Sequence, residues 1–178
     1  CFAEFKAETN KIFYGLGAIK SVGFEAISNI VNERKKNGEF KTLTDFINRI
    51  NPKDVNKLQL EGLVKAGAFD EIDPNRRKLF EAIPKIIQTV KSKYDEKASN
   101  QENLFNDSNN KDNETFEFNT SKSWTKKELL AEEFISLGFY ISDHPLNEYK
   151  EFFAQLDINT YKDFVNSEKS EALVAGTI

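Results

Sequence analysis

The sequence predicts a mainly α-helical chain that opens on a small β-hairpin and is interrupted past its middle by a stretch with no core-forming pattern. Three observations carry that prediction. Apolar residues recur at helical spacing from Phe24 to Val90 and again from Leu129 to Leu137. Glycine, proline and small polar residues stand where such helices should start and stop. Strand-like runs are confined to the two ends. The composition agrees: 178 residues, 39% hydrophobic and 30% charged, suit one compact domain or two small ones. Sixteen Phe and no Met point to a core built on rigid aromatics.

The elements run in order along the chain. Phe2–Lys6 and Lys11–Tyr14 alternate in part and flank Glu8-Thr9-Asn10, which predicts a β-hairpin within residues 1–15. Gly15-Leu16-Gly17 breaks the strand and a helix should begin near Ala18. After a second break at Ser21-Val22-Gly23, Ala26, Ile27, Ile30 and Val31 mark a helix from Phe24 to Lys36, ended by Gly38. Thr44 is placed to cap a short helix through Ile50. Pro52, at a first helical position, should open another, carrying Val55, Leu58, Leu60, Leu63 and Val64 as far as Gly67. Asp73-Pro74 should open a longer one with Leu79, Phe80, Ile83, Ile86, Ile87 and Val90 on its buried side, and Pro84 should kink or split it. These helices form a domain over residues 16–98.

Residues 99–124 read as a flexible linker, because Asn, Asp, Ser and Thr dominate and no apolar period survives. Thr125 and Glu128 form a capping box for a helix with the stripe Leu129, Leu130, Phe134 and Leu137, ended by Gly138. Short helices near Pro145–Phe153 and Thr160–Val165 complete a helical connector over 125–170. Residues 171–178 look like a strand that begins as the sequence stops, which fits a piece of a longer protein.

Composition also excludes. The lone cysteine, Cys1, permits no internal disulfide and fits a reducing, cytoplasmic compartment. No apolar run approaches the ~20 residues of a bilayer span, so no membrane partner is expected. There is no phosphate loop of the Walker type, no metal-ligand cluster and no nucleophile–base pair. No catalytic residue, metal site or cofactor is therefore expected within this chain. The net charge of −4 is unevenly divided: residues 11–98 hold 17 Lys/Arg against 12 Asp/Glu, while the remainder is acidic. A mildly basic front suits contacts with a phosphate backbone.

Three stretches carry chemistry. Ile19-Lys20-Ser21-Val22-Gly23, leading into Ile27 and Ile30, fits the helix-hairpin-helix pattern apolar–x–Gly–apolar–Gly, with Ser21 at the first Gly. Such a turn exposes backbone N–H groups at a helix start, where the helix dipole favours a phosphate, and Lys20 adds charge. Gly17, Lys20, Ser21, Val22 and Gly23 are the candidate DNA contacts; the alternative is a glycine break that only packs. Leu63 to Asp70 reads as a second, weaker copy, which makes the domain tandem and adds Lys65, Gly67, Arg76 and Arg77 as candidates. Here the alternative, a pseudo-symmetric partner that completes the fold, is the stronger. Gln101-Glu102-Asn103-Leu104-Phe105 has the form of peptides that dock on bacterial sliding clamps. Leu104 and Phe105 would be the apolar anchors and Gln101 the orienting amide, unless a polar linker happens to contain these letters. His144 reads as structural or exposed, and Trp124 as a core anchor. Glu132 and Glu133, adjacent on a helix, point apart and form no paired-carboxylate site.

Together these residues bring a family into view. Tyr14-Gly15-Leu16-Gly17-Ala18-Ile19-Lys20-Ser21-Val22-Gly23 resembles the (Y/F)-G-(L/I)-G-A-I-K-G-V-G stretch of the alpha subunits of bacterial replicative DNA polymerase III, the C-family polymerases. Phe40 to Phe46, Leu63 to Asp70, the peptide Gln101 to Phe105, and Glu132 to Leu146 resemble further elements of that family in the same order. The departures are Ser21 for Gly and Asp143 where Gly is common. The resemblance implies a segment after the palm and fingers: a tandem helix-hairpin-helix domain, a clamp-binding linker and, at Ala172–Ile178, the first strand of a truncated OB domain. It implies a parent that is a DNA-directed DNA polymerase using Mg, with its catalytic aspartates upstream. The implied partners are double-stranded DNA bound without sequence preference, the beta sliding clamp and other subunits of the replicative holoenzyme. A helix-hairpin-helix repair or recombination factor would share the Val22-Gly23 turn but has no reason to hold His144-Pro145-Leu146. A pure protein-interaction adaptor would use the turns only as structure.

Overall fold

The computed structural model describes residues 2–98, 122–167 and 169–176. It is mainly helical and divides into two units, Cys1–Phe139 and Tyr140–Ile178.

The first unit opens on the expected hairpin. Strand β1 (Lys6–Glu8) pairs antiparallel with β2 (Lys11–Phe13), Lys6 opposite Phe13 and Glu8 opposite Lys11. The residues before β1 are tied to those just after β2: Leu16 N–H donates to the Phe2 carbonyl at 2.9 Å and Gly17 N–H to that of Ala3 at 3.0 Å. The helix expected from Ala18 is a single 3-10 turn, Leu16–Ala18. It ends because Ile19 is extended (φ −68°, ψ 135°) and Ser21 takes a left-handed φ of 64°.

Helix α1 (Phe24–Asn37) buries Ile27 and Val31 and ends at Gly38, whose φ is 86°. Helix α2 (Leu43–Arg49) is capped by Thr42 rather than Thr44. Thr42 is the extended residue, and its hydroxyl accepts from Asp45 N–H at 3.0 Å. Arg49 then holds the end of α1. Its guanidinium donates to Glu33 Oε1 at 3.0 Å and to the Gly38 carbonyl at 2.8 Å.

The single helix expected from Pro52 is two pieces. Pro52–Asp54 is a 3-10 turn, Val55 is extended, and Asn56 starts α3 (Lys57–Lys65) through a capping box with Gln59. The restart turns Leu58 outward, where it is exposed. Helix α4 (Arg76–Ala98) begins after Pro74 and runs unbroken through Pro84. That proline forfeits one hydrogen bond to the carbonyl four residues back, but buried Leu79, Ile83, Ile86 and Val90 keep the helix on the core. The core joins α1 to α4, with Phe46 packed edge-on against both Phe40 and Phe69.

Helix α5 (Lys126–Leu137) has the predicted capping box and a left-handed Gly138 at its end. Its buried face holds Leu130 and Leu137 of the predicted stripe but is turned away from Phe134. Phe134 is 46% exposed, whereas Glu133 is only 1% exposed and lies with Leu130, Ser136 and Leu137. Predicted as part of a connector, α5 belongs to the first unit and packs on α3.

The second unit holds a 3-10 turn (Pro145–Tyr149), α6 (Lys150–Gln155) and α7 (Tyr161–Val165). His144 Nδ1 accepts from Leu146 N–H at 3.2 Å, so this histidine caps the turn. Residues 171–176 form no strand, and Leu173 and Val174 are exposed. A strand needs a paired neighbour, and none is offered among the described residues.

Candidate nucleic-acid interface

Ile19 to Val22 form a tight turn closed by Val22 N–H donating to the Ile19 carbonyl at 3.1 Å. A left-handed φ at Ser21, its third residue, makes it a type II turn, which favours glycine at that position. The pattern's first Gly therefore stands where the backbone needs it, and Ser21 holds the same conformation at a cost. Gly23 needs no such freedom: its φ is −74°, and an added Cβ would meet only the end of the Gln59 side chain at 3.3 Å.

Gly23 is the N-cap of α1 and offers no side-chain cap. Among the described helices of eight or more residues, the others do have a side-chain acceptor at their start. Asn56 serves α3 and Thr125 serves α5, and Asn75 Oδ1 accepts from Lys78 N–H in α4 at 3.1 Å. The first N–H groups of α1 thus remain for an anion, beside exposed Lys20, Ser21 and Gly23. Val22 is buried beneath them, and Gly17 has its N–H committed to Ala3. Glu25 also lies in this first turn and adds negative charge.

The second turn also carries a left-handed residue, but its hydrogen bonds and its chemistry differ. Helix α3 ends in a Schellman motif: Gly67 N–H donates to the Val64 carbonyl, Ala68 N–H donates to that of Leu63, and Gly67 has φ 78°. Arg76, 7% exposed, fills the turn. It donates to both carboxylate oxygens of Asp70 at 2.8 and 2.7 Å and to the Lys65 carbonyl at 2.9 Å, with Glu133 Oε1 at 3.7 Å. Burial lowers the Arg76 pKa, but Asp70 and then Glu133 outweigh it and raise the pKa above its ordinary value. Lys65 Nζ lies 2.9 Å from Glu132 Oε2, an ion pair by distance although not aligned as a hydrogen bond. Arg77, half exposed, donates to Glu81, which raises its pKa.

Sequence reasoning missed two residues here. Glu133, read only as pointing away from Glu132, faces Arg76. Gly62 carried no reading, yet a Cβ on it would lie 2.8 Å from the Lys20 carbonyl, so it is where α3 touches the first turn. Trp124 is half-buried and packs on Phe80 with ring centroids 5.7 Å apart, outside the buried core cluster in which it was expected as an anchor. Gln101, Leu104 and Phe105 lie outside the described residues. Among those described, no three of His, Cys, Asp and Glu come together as a metal site, and no helix is long and apolar enough to cross a membrane.

Residues 1–79 match the helix-hairpin-helix motif family. The DNA polymerase III subunit alpha of Borreliella burgdorferi is 38% identical over 164 residues, 89% of this chain and 14% of that protein. That of Rickettsia bellii is 39% identical over 173 residues, 95% of this chain and 14% of its own length. In Campylobacter jejuni the subunit is 34% identical over 169 residues, 94% of this chain and 14% of that protein. The chain thus spans about one-seventh of the curated relatives it matches. It belongs to the DNA polymerase III alpha family, as the stretch that carries the helix-hairpin-helix motif.

Proposed function

We propose that this chain grips duplex DNA without sequence preference for a template-directed DNA polymerase and tethers that polymerase to a sliding clamp. The observation that carries the DNA reading is the uncapped start of α1 at Gly23, beside Lys20 and behind a type II turn. A phosphate there would accept from the first helical N–H groups and complement the dipole. Ser21 would stand at the rim of that site. Lys65, Gly67, Arg76 and Arg77 would serve the fold rather than the phosphate, since the three cations already have carboxylate partners. The alternative of a repair or recombination factor without polymerase activity is disfavoured by relatives that match nearly the whole chain, α5 and the His144-Pro145-Leu146 element included.

Clamp tethering rests on Gln101, Leu104 and Phe105 as a sequence pattern. The other replicative subunits and a cytoplasmic location go with the same reading. The magnesium of nucleotidyl transfer finds no fitting donor set among the described residues.

Fluorescence anisotropy with two unrelated duplexes, over a range of salt, tests the DNA reading. Binding should be roughly micromolar or weaker, equal for both duplexes, and should weaken steeply with salt. A marked preference for one duplex, or indifference to salt, would overturn it. Calorimetry against purified clamp tests the tether: Leu104→Ala with Phe105→Ala should abolish detectable binding while leaving the melting temperature unchanged, and unaltered affinity would remove these residues from the role.

A further inference from the structure

The match to the helix-hairpin-helix motif ends at residue 79, but the first turn is not complete within it. Lys20 N–H, at the second position of the type II turn, donates to the Ser136 carbonyl at the end of α5, at 3.0 Å. The same helix is anchored on the second turn, where Glu133 faces Arg76 and Glu132 faces Lys65. Leu130 and Leu137 bury its apolar side. Helix α5 therefore touches both turns and fixes the exposed one through a single backbone bond.

Resting on the duplex reading above, we propose that α5 is a positioning element of the phosphate site. Its Ser136 carbonyl holds the Lys20–Ser21 turn so that the first N–H groups of α1 face the DNA backbone. Such a hold acts against the strain at Ser21. A left-handed serine carries a conformational cost that glycine would not, and the tethered Lys20 N–H opposes its relaxation.

The position of Lys20 permits a clean test. Proline is favoured at the second position of a type II turn, and Ile19 before it is already extended, as a residue preceding proline must be. Lys20→Pro deletes the N–H donor and keeps the turn; Lys20→Gln deletes only the charge. Both should lose about one ionic contact, lowering the salt slope by roughly 0.9 relative to the parent chain. Beyond that, Lys20→Pro should bind duplex about three- to tenfold more weakly than Lys20→Gln, at an identical salt slope. A bond of purely structural value would lower the melting temperature of Lys20→Pro and leave its affinity equal to that of Lys20→Gln, which would overturn the proposal.

Glu132→Gln supplies a second reading should Lys20→Pro fail to fold. Removing a carboxylate raises affinity for DNA by charge alone, whereas loosening α5 should lower it by about twofold or more. A rise, or no change, contradicts the assignment. Absence of salt-dependent binding by the parent chain would overturn the duplex reading and this inference with it. Normal parental binding with Lys20→Pro equal to Lys20→Gln would overturn this inference alone.

Discussion

Each of the two turns carries one left-handed residue, and they differ in what surrounds it. At the first, Ser21 takes the left-handed position, Gly23 opens α1 without a side-chain cap, and Lys20 is exposed. At the second, Gly67 takes the left-handed position, Asn75 caps the following helix, and Arg76 is enclosed by Asp70 and Glu133. A tight turn before a helix is therefore a scaffold with two outcomes. Left open, it presents N–H groups to solvent. Filled by an internal cation and its carboxylates, it becomes a joint. What separates the outcomes is the side chains that fill each turn together with the path that follows it, since α1 begins directly after the first turn whereas further turns lie between Gly67 and α4.

The sharpest way to break this contrast is at Arg76. Arg76→Ala leaves Glu133 buried without its cation and should cost about 3–5 kcal/mol, read as a lower urea midpoint. A variant as stable as the parent would make the second turn as open as the first. Next comes Gly62→Ala, which sets a methyl group 2.8 Å from the Lys20 carbonyl and 3.1 Å from Val22 Cγ2. It should cost about 1–3 kcal/mol and displace the first turn, so duplex affinity should fall with it. Unchanged stability would show that α3 does not set the turn's position.

Gly23→Asp should split stability from binding. Asp is a good N-cap and φ −74° suits it, so the melting temperature should hold or rise slightly, the gain being about a few tenths of a kcal/mol. The same carboxylate would occupy the anion's place, and duplex affinity should fall about tenfold or more. Equal affinity with retained folding, checked by circular dichroism, would move the phosphate elsewhere. Ser21→Gly should relieve the left-handed strain, for a gain of up to about 1 kcal/mol, with affinity unchanged because no charge is lost.

The smallest effect lies at the far end of α1. Hydrogen bonds from Asn37 and then Arg49 hold Glu33 below the ordinary carboxylate pKa of about 4.3. Its contribution is thus present above that value and disappears as pH falls through the lower folded value. Glu33→Gln should narrow the gap between urea midpoints at pH 7 and pH 3, and an unchanged gap would show that this pair contributes nothing.

Much of this was legible in the sequence, for reasons that are local. The capping box at Thr125 and Glu128 and the breaks at Gly38 and Gly138 act over a few residues. So does the glycine-rich turn before Phe24, and each appeared where its letters stand. The misreadings have non-local causes. Glu133 reads only as pointing away from Glu132 until Arg76 arrives from another helix to face it. Gly62 carries no reading until the Lys20 carbonyl is brought against it. The helix expected at Ala18 shrank to one turn because Ser21, an ordinary residue by its letter, adopts a glycine's backbone. Val55 and Leu58 continued an apolar count across a boundary that only the Asn56 capping box reveals.

The bond from Lys20 to Ser136 also sets an order of events during synthesis. Its donor lies near one end of the chain and its acceptor far along it, with α1 to α4 between them. Polypeptide emerges from a ribosome at roughly 5–20 residues per second. The turn is therefore made several seconds before the helix that tethers it. On the proposal above, the phosphate site is therefore completed only once α5 has been made, and the nascent chain passes through a stage in which the turn exists without the bond that holds it.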